Sequence, residues 1–255
     1  MIPNLAKISF PLAVIALLGL TARKAQADLL VGSFGTRSVL RYDETTGTFI
    51  DVFIPPGSGG LDFSDVLTFG SDNNLYANSR GTNDVVLRYN GTTGAFIDTF
   101  VPSGSGGLKS PITVIFGPDN NLYVSSQGTN SVLRYNGTTG TFIDAFVPPG
   151  SGGLDIPIDM SFRPDGNLYV TSLGSNSVLR YNGTTGAFID AFVPSGSGGL
   201  NQPTGLVFTP TPVPEPSYGL GILALGAWSA VSLRKNKLKN QKLAHDNSGD
   251  HSHLP

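Results

Sequence analysis

The sequence predicts an all-β fold, a four-bladed β-propeller closed by its own C-terminal strand, and three observations carry that prediction. One phrase recurs four times: Leu40-Arg41-Tyr42-Asp43, Leu87-Arg88-Tyr89-Asn90, Leu133-Arg134-Tyr135-Asn136 and Leu179-Arg180-Tyr181-Asn182, each followed after one residue by Thr-Thr-Gly-x-Phe-Ile-Asp. Its arginines are 47, 46 and 46 residues apart, a period the size of a propeller blade rather than of a helix pair or a leucine-rich repeat. Each period also breaks into four short apolar runs separated by turn residues, as the strands of a blade do. Composition agrees: 33 glycines and 18 prolines with only 13% charged residues suit short strands and tight turns, and two methionines with no long amphipathic stretch do not suit helices.

The third repeat shows the elements in order. Its runs are Pro111-Ile112-Thr113-Val114-Ile115-Phe116, Leu122-Tyr123-Val124-Ser125, Ser131-Val132-Leu133-Arg134-Tyr135 and Phe142-Ile143-Asp144-Ala145-Phe146-Val147. Gly117-Pro118-Asp119-Asn120-Asn121, Gly128-Thr129-Asn130 and Asn136-Gly137-Thr138-Thr139-Gly140 supply the turns between them. The first repeat enters at the second strand, with residues 29–33 matching 122–126, and the chain runs through three full blades to a lone first strand, Gly205-Leu206-Val207-Phe208. One blade without a first strand and one first strand without a blade form a closing pair, which gives four blades. The alternative is two chains sharing one larger ring.

Within each repeat an arginine and an aspartate lie ten residues apart: Arg41 and Asp51, Arg88 and Asp98, Arg134 and Asp144, Arg180 and Asp190. A hairpin folded about the intervening Thr-Thr-Gly turn places them opposite each other on one face. The expectation is one cross-strand ion pair per blade, acting to fix register. The competing reading is a ring of four arginines that contacts carbohydrate or anions.

The two ends read as addresses. Residues 1–27 hold one early cation, Lys7, an apolar run over 8–20 and Ala25-Gln26-Ala27 before Asp28, the layout of a secretory signal cleaved between Ala27 and Asp28. An uncleaved signal anchor is the alternative. After the propeller, expected over 28–208, comes a Pro-rich linker at 209–217, an apolar run at 218–233 and a basic then polar tail at 234–255. Sixteen residues rise about 24 Å as a helix, close to one membrane crossing, and the cations that follow place the tail in the cytoplasm. The motif Val213-Pro214-Glu215-Pro216-Ser217, the short apolar run and the basic cluster from Arg234 resemble, in that order, the PEP-CTERM sorting signal of bacterial surface proteins. That resemblance implies processing near the Pro-Glu-Pro by an exosortase-type enzyme in bacteria that make exopolysaccharide. A plain C-terminal anchor is the simpler alternative.

The body, in Gly117-Pro118-Asp119-Asn120-Asn121-Leu122-Tyr123-Val124 and Arg163-Pro164-Asp165-Gly166-Asn167-Leu168-Tyr169-Val170, resembles the NHL and streptogramin-lyase-like propellers. The resemblance implies fold more than chemistry. Enzymes on such propellers use histidines and carboxylates at the channel, and residues 28–208 contain no histidine; His245, His251 and His253 all lie in the tail. With no cysteine in the chain, no disulfide, thiolate metal site or cysteine nucleophile exists. Asp65 and Asp159 remain as channel carboxylates, and they support the alternative function, a propeller-type lyase or hydrolase using a metal. Asp72, Asp119 and Asp165 recur in turns where aspartate bonds backbone amides. Asn90-Gly91-Thr92, Asn136-Gly137-Thr138 and Asn182-Gly183-Thr184 match the glycosylation sequon, but also suit an Asn-Gly hairpin turn. The Pro-x-Gly-Ser-Gly-Gly-Leu segments at 55–61, 102–108, 148–154 and 194–200 read as flexible crossings between blades.

Residues 28–212 carry eight Lys/Arg against fifteen Asp/Glu, an acidic balance that excludes nucleic acid as partner, since backbone binding needs a basic face. The expected function is an exported, non-enzymatic propeller at the cell surface or in the extracellular matrix. Its expected partners are the processing enzyme, the membrane before processing, and polysaccharide or a surface protein. No catalytic residue, metal or cofactor is assigned.

Overall fold

The structure is a computed structural model that describes residues 27–209. Residues 28–193 hold fifteen strands: β1 (Asp28–Ser33), β2 (Ser38–Asp43), β3 (Phe49–Ile54), β4 (Leu67–Phe69), β5 (Leu75–Ser79), β6 (Val85–Tyr89), β7 (Phe96–Val101), β8 (Pro111–Phe116), β9 (Leu122–Ser126), β10 (Ser131–Tyr135), β11 (Phe142–Val147), β12 (Pro157–Phe162), β13 (Asn167–Ser172), β14 (Ser177–Asn182) and β15 (Phe188–Val193). They form one three-stranded sheet, β1-β2-β3, and three four-stranded sheets, β4-β5-β6-β7, β8-β9-β10-β11 and β12-β13-β14-β15. All neighbouring strands are antiparallel, the arrangement of successive propeller blades.

Second strands such as β5 and β9 are buried at every position, which is why they read as unbroken apolar runs. Burial comes from the next sheet rather than from the strand's own. The three core clusters each straddle two blades: Phe53, Ile54 and Leu61 with Leu75 and Tyr89; Phe100, Val101 and Leu108 with Val114 and Tyr135; Phe146, Val147 and Leu154 with Met160 and Tyr181. A side chain of that size contributes about 1.5–3 kcal/mol when fully buried. Blade-to-blade packing is therefore the main source of stability.

The outer hairpins put Arg41, Arg88, Arg134 and Arg180 directly opposite Asp51, Asp98, Asp144 and Asp190. Each hairpin shifts register on either side of that pair, in the third blade between Val132 and Leu133 and between Arg134 and Tyr135. The extra residues Ile143 and Phe146 turn outward and inward respectively, the re-aiming that bulges produce.

Two turn expectations are corrected. The Asn-Gly pair does not form a two-residue hairpin turn. Asn90 Oδ1 accepts the N–H of Thr92 and Thr93 at 3.0 and 2.9 Å, and the positive φ falls at Gly94, 70°, whose N–H closes the turn onto Asn90 O at 2.9 Å. Gly91 is required for another reason, because a Cβ there would collide with Asn73 O. The Gly-Ser crossings are not loose connectors either. Each forms a 3-10 turn, Ser58–Gly60, Ser105–Gly107, Ser151–Gly153 and Ser197–Gly199, and the first three lie under a phenylalanine ring of the next blade.

The expected closing strand at residues 205–208 is also corrected. Residues 201–209 carry no strand, and the first sheet keeps three. Asp159 Oδ2 accepts the Leu206 N–H at 3.0 Å, and Asn176 Oδ1 accepts the Gln202 N–H at 2.8 Å. Equivalent contacts accompany β12, where the N–H groups of Ile156 and Met160 reach Asn130 Oδ1 at 2.8 Å and Asp159 Oδ1 at 2.9 Å, so the segment has the setting of a first strand and lacks a second strand beside it.

The inter-blade packing sets an expectation for glycine. Gly140 and Gly166 both have positive φ, 71° and 79°, but only at Gly140 would a Cβ strike the preceding blade, at Phe100 O. In denaturant unfolding, Gly140→Ala should lower stability by at least about 2 kcal/mol more than Gly166→Ala, the added amount being steric overpacking. Equal losses would show that the turn does not touch the preceding blade.

Candidate functional site

The first strands of three successive blades border a cavity of about 350 Å³ lined by Thr68, Phe69, Ile115, Phe116, Met160, Ser161 and Phe162. Its wall mixes apolar side chains with two hydroxyls and polar backbone and holds no carboxylate or cation. It provides nothing that could carry a proton or bind a metal.

The two channel aspartates are engaged elsewhere. Asp65 Oδ1 and Oδ2 accept Arg80 NH2 and Nε at 3.1 and 2.5 Å, with Asn78 Nδ2 at 3.3 Å. Asp159 accepts the N–H of its neighbour Met160 at 2.9 Å with Oδ1 and that of Leu206 with Oδ2. The structure does not bring them into one ligand set. Among the described residues no cluster of three or more metal-type side chains occurs. The histidine-bearing tail and the residues of the two sorting signals, Ala25 and Val213 to Ser217 among them, lie outside the described residues. Among the described residues no helix is long and apolar enough to cross a membrane.

Each blade instead carries one repeated polar network. Arg88 and Arg134 donate from Nε to Asp98 and Asp144 Oδ1 at 3.1 Å and from NH2 to Oδ2 at 2.5 Å. Arg180 bonds Asp190 likewise at 3.0 and 2.5 Å, and Arg41 makes the same two-pronged contact with Asp51. The guanidinium groups of Arg88 and Arg134 also lie over Phe100 and Phe146 at 5.0 Å. The turn aspartates do more than bond amides. Besides the backbone N–H of Asn74, Asn121 and Asn167, Asp72, Asp119 and Asp165 accept the hydroxyls of Tyr76, Tyr123 and Tyr169 at 3.0, 3.0 and 2.6 Å. Spacing in sequence does not reveal that contact, although the four-residue interval from aspartate to tyrosine recurs. Burial pushes the Tyr76 and Tyr123 hydroxyls up to about 12. At Asp119 burial opposes ionisation, but hydrogen bonds from Asn121 and Tyr123 outweigh it and hold the carboxyl below its ordinary range.

The first blade departs from the pattern. Leu30 stands opposite Arg41 where Tyr76, Tyr123 and Tyr169 stand opposite their arginines. The unfilled space is a cavity of about 370 Å³ between Leu30, Phe53, Phe69, Arg41 and Asp28.

The outer rim offers a different surface. Between the second and third blades a groove of about 450 Å³ is lined by Thr99, Phe100, Pro102 and Ser105 on one side and Thr139, Gly140, Thr141 and Phe142 on the other. Its edge is aromatic and exposed, as in every blade: Phe49, Phe96, Phe142 and Phe188 keep 37–53% of their surface in solvent, each followed by an exposed isoleucine.

No protein family matches the sequence, and neither does any curated protein. Among solved structures the chain is similar to virginiamycin B lyase from Staphylococcus aureus, with 14% identity, a TM-score of 0.51 and coverage of 69% of this chain and 55% of that one. It is similar to a gluconolactonase from Xanthomonas campestris at 20% identity, TM-score 0.51 and coverage of 65% and 58%. It is also similar to the extracellular domain of a hybrid two-component system from B. thetaiotaomicron at 15% identity, TM-score 0.50 and coverage of 65% and 22%. The chain spans less than two thirds of the length of each. These likenesses identify a β-propeller repeat protein and its fold alone.

The turn network gives a pH expectation. Because the Asp119 carboxyl is held low in the folded state, its contribution to stability is present above the ordinary aspartate value near 3.9 and is lost as pH falls through the lower folded value. The melting-temperature difference between the native chain and Asp119→Asn should therefore shrink between pH 6 and pH 3. A difference constant over that range would contradict the assignment.

Proposed function

We propose that this chain is an exported, non-enzymatic propeller that binds extracellular polymer through the phenylalanines repeated along its rim. One observation carries the reading: an exposed phenylalanine recurs on every blade at fixed spacing, and between the second and third blades it borders a groove lined by threonine hydroxyls. Aromatic faces flanked by hydroxyls suit sugar rings, which present apolar faces and hydroxyl edges. Weak sites repeated along one rigid body add through effective concentration, so a polymer with a matching repeat is held far more tightly than its monomer.

The signals at the two ends support the address. A leader ending at Ala27 and the Val213-Pro214-Glu215-Pro216-Ser217 motif would send the chain out of the cytoplasm. There an exosortase-type enzyme would release it from its membrane segment to the surface or the polysaccharide matrix. Similarity to an extracellular domain agrees with that placement. The lyase or hydrolase reading is not favoured, because Asp65 is held by Arg80 and Asp159 by backbone amides.

Affinity electrophoresis through gels cast with a neutral or an acidic bacterial exopolysaccharide tests the reading. Migration should be retarded by one of them and unaffected by EDTA. Phe96→Leu, Phe142→Leu and Phe188→Leu should each weaken retention several-fold, and together multiplicatively. No retention in either gel, or retention that EDTA abolishes, would contradict it.

A further inference from the structure

The blade array ends on two open faces, and the three interfaces inside it show what each face fits. At every internal interface the later blade presents a tyrosine whose hydroxyl donates to a serine carbonyl of the preceding crossing: Tyr89 to Ser58 O at 2.7 Å, Tyr135 to Ser105 O at 2.8 Å and Tyr181 to Ser151 O at 2.9 Å. The later blade also lays a phenylalanine ring against a crossing glycine, Phe96 on Gly59, Phe142 on Gly106 and Phe188 on Gly152. Its turn glycine meets a backbone carbonyl of the preceding blade, Gly94 at Phe53, Gly140 at Phe100 and Gly186 at Phe146.

The first blade carries the same presenting set, and the fourth the same receiving set, with neither engaged by a described residue in the way the internal sets are. Tyr42 is only partly buried, whereas Tyr89, Tyr135 and Tyr181 are fully buried. No described residue comes within 4 Å of a Cβ built at Gly47 or at Gly198, the equivalents of Gly140 and Gly106. Phe192 is 45% exposed, while its equivalents Phe53, Phe100 and Phe146 are 4–6% exposed. On the first blade β1 keeps an unpaired edge, with Leu29 51% and Val31 39% exposed.

We propose that a second copy of this chain docks head to tail on these faces, Tyr42, Gly47 and Phe49 of one copy against Phe192, Ser197 and Gly198 of the other, and that two copies close one ring. Such an interface joins unlike faces, so it closes only if its rotation completes a circle. A partial ring per chain agrees with the fold: the matched part of this chain covers 55% of the virginiamycin B lyase chain and 58% of the gluconolactonase, which leaves room for further blades. In the ring, residues 203–207 of each copy lie beside the unpaired β1 of the other.

Cysteine cross-linking tests this, because the chain has no cysteine of its own. At the internal interface a Cβ built on Gly106 falls 2.6 Å from Phe142 Cγ, which leaves the two Cβ atoms within about 4 Å, disulfide spacing. Full-length chain carrying Phe49→Cys with Gly198→Cys, oxidised in detergent, should run as a covalent two-chain species on a non-reducing gel. Gly106→Cys with Phe142→Cys should cross-link inside one chain and controls for folding. Light scattering on the unsubstituted chain should give twice 26.7 kDa after subtraction of detergent. A cross-link confined to one chain, a ladder beyond two chains, or a single-chain mass without cross-linking would overturn the proposal.

Discussion

The contact between one blade and the next is the constraint on which the rest of this structure depends. A sheet of three or four short strands is too thin to bury both of its faces, and every core cluster here is shared by two blades. That sharing dictates residue choice at a distance. Glycine is needed where a turn meets the preceding backbone, as Gly140 meets Phe100 O, and where an aromatic ring covers a crossing, as Phe142 covers Gly106. The buried tyrosine hydroxyl finds its acceptor there, a serine carbonyl that also accepts the leucine N–H closing the crossing, and so avoids the cost of an unpaired polar group. The Arg-Asp pair on the outer hairpin is a local device by comparison, fixing register within a blade.

Much of this was legible because the sequence repeats. A 46-residue period, four apolar runs per period and a ten-residue Arg-to-Asp interval are sequence-local quantities, and the sheets and hairpin register follow them. What was hidden depends on approach between segments far apart in the chain. Gly91 looks like a turn glycine, yet its φ is ordinary and Asn73 O is what forbids a side chain. The Gly-Ser crossings look flexible because glycine usually is, but an aromatic ring from the following blade packs on three of them. The strand expected at residues 205–208 matches its pattern, but no second strand lies beside it, since β1 pairs only with β2. Leu30 falls at the place of a repeated tyrosine, Tyr123 in the third blade, and the structure shows a cavity beside it.

The same repetition shapes the functional reading. The proposed binding role rests on like groups presented at equal intervals along the body. The carboxylates of its repeated networks are bound to arginines, tyrosines or backbone amides, and a groove of about 450 Å³ lies between two blades at the rim. Such a surface suits an extended ligand that is itself periodic.

Native-state hydrogen exchange reports most directly on whether the blades are held by one another. If the shared inter-blade cores carry the stability, amides of β5, β9 and β13 should exchange through one common opening with the same free energy and denaturant dependence. One blade exchanging through its own, lower free energy while its neighbours stay protected would contradict the account, because each sheet would then be standing alone.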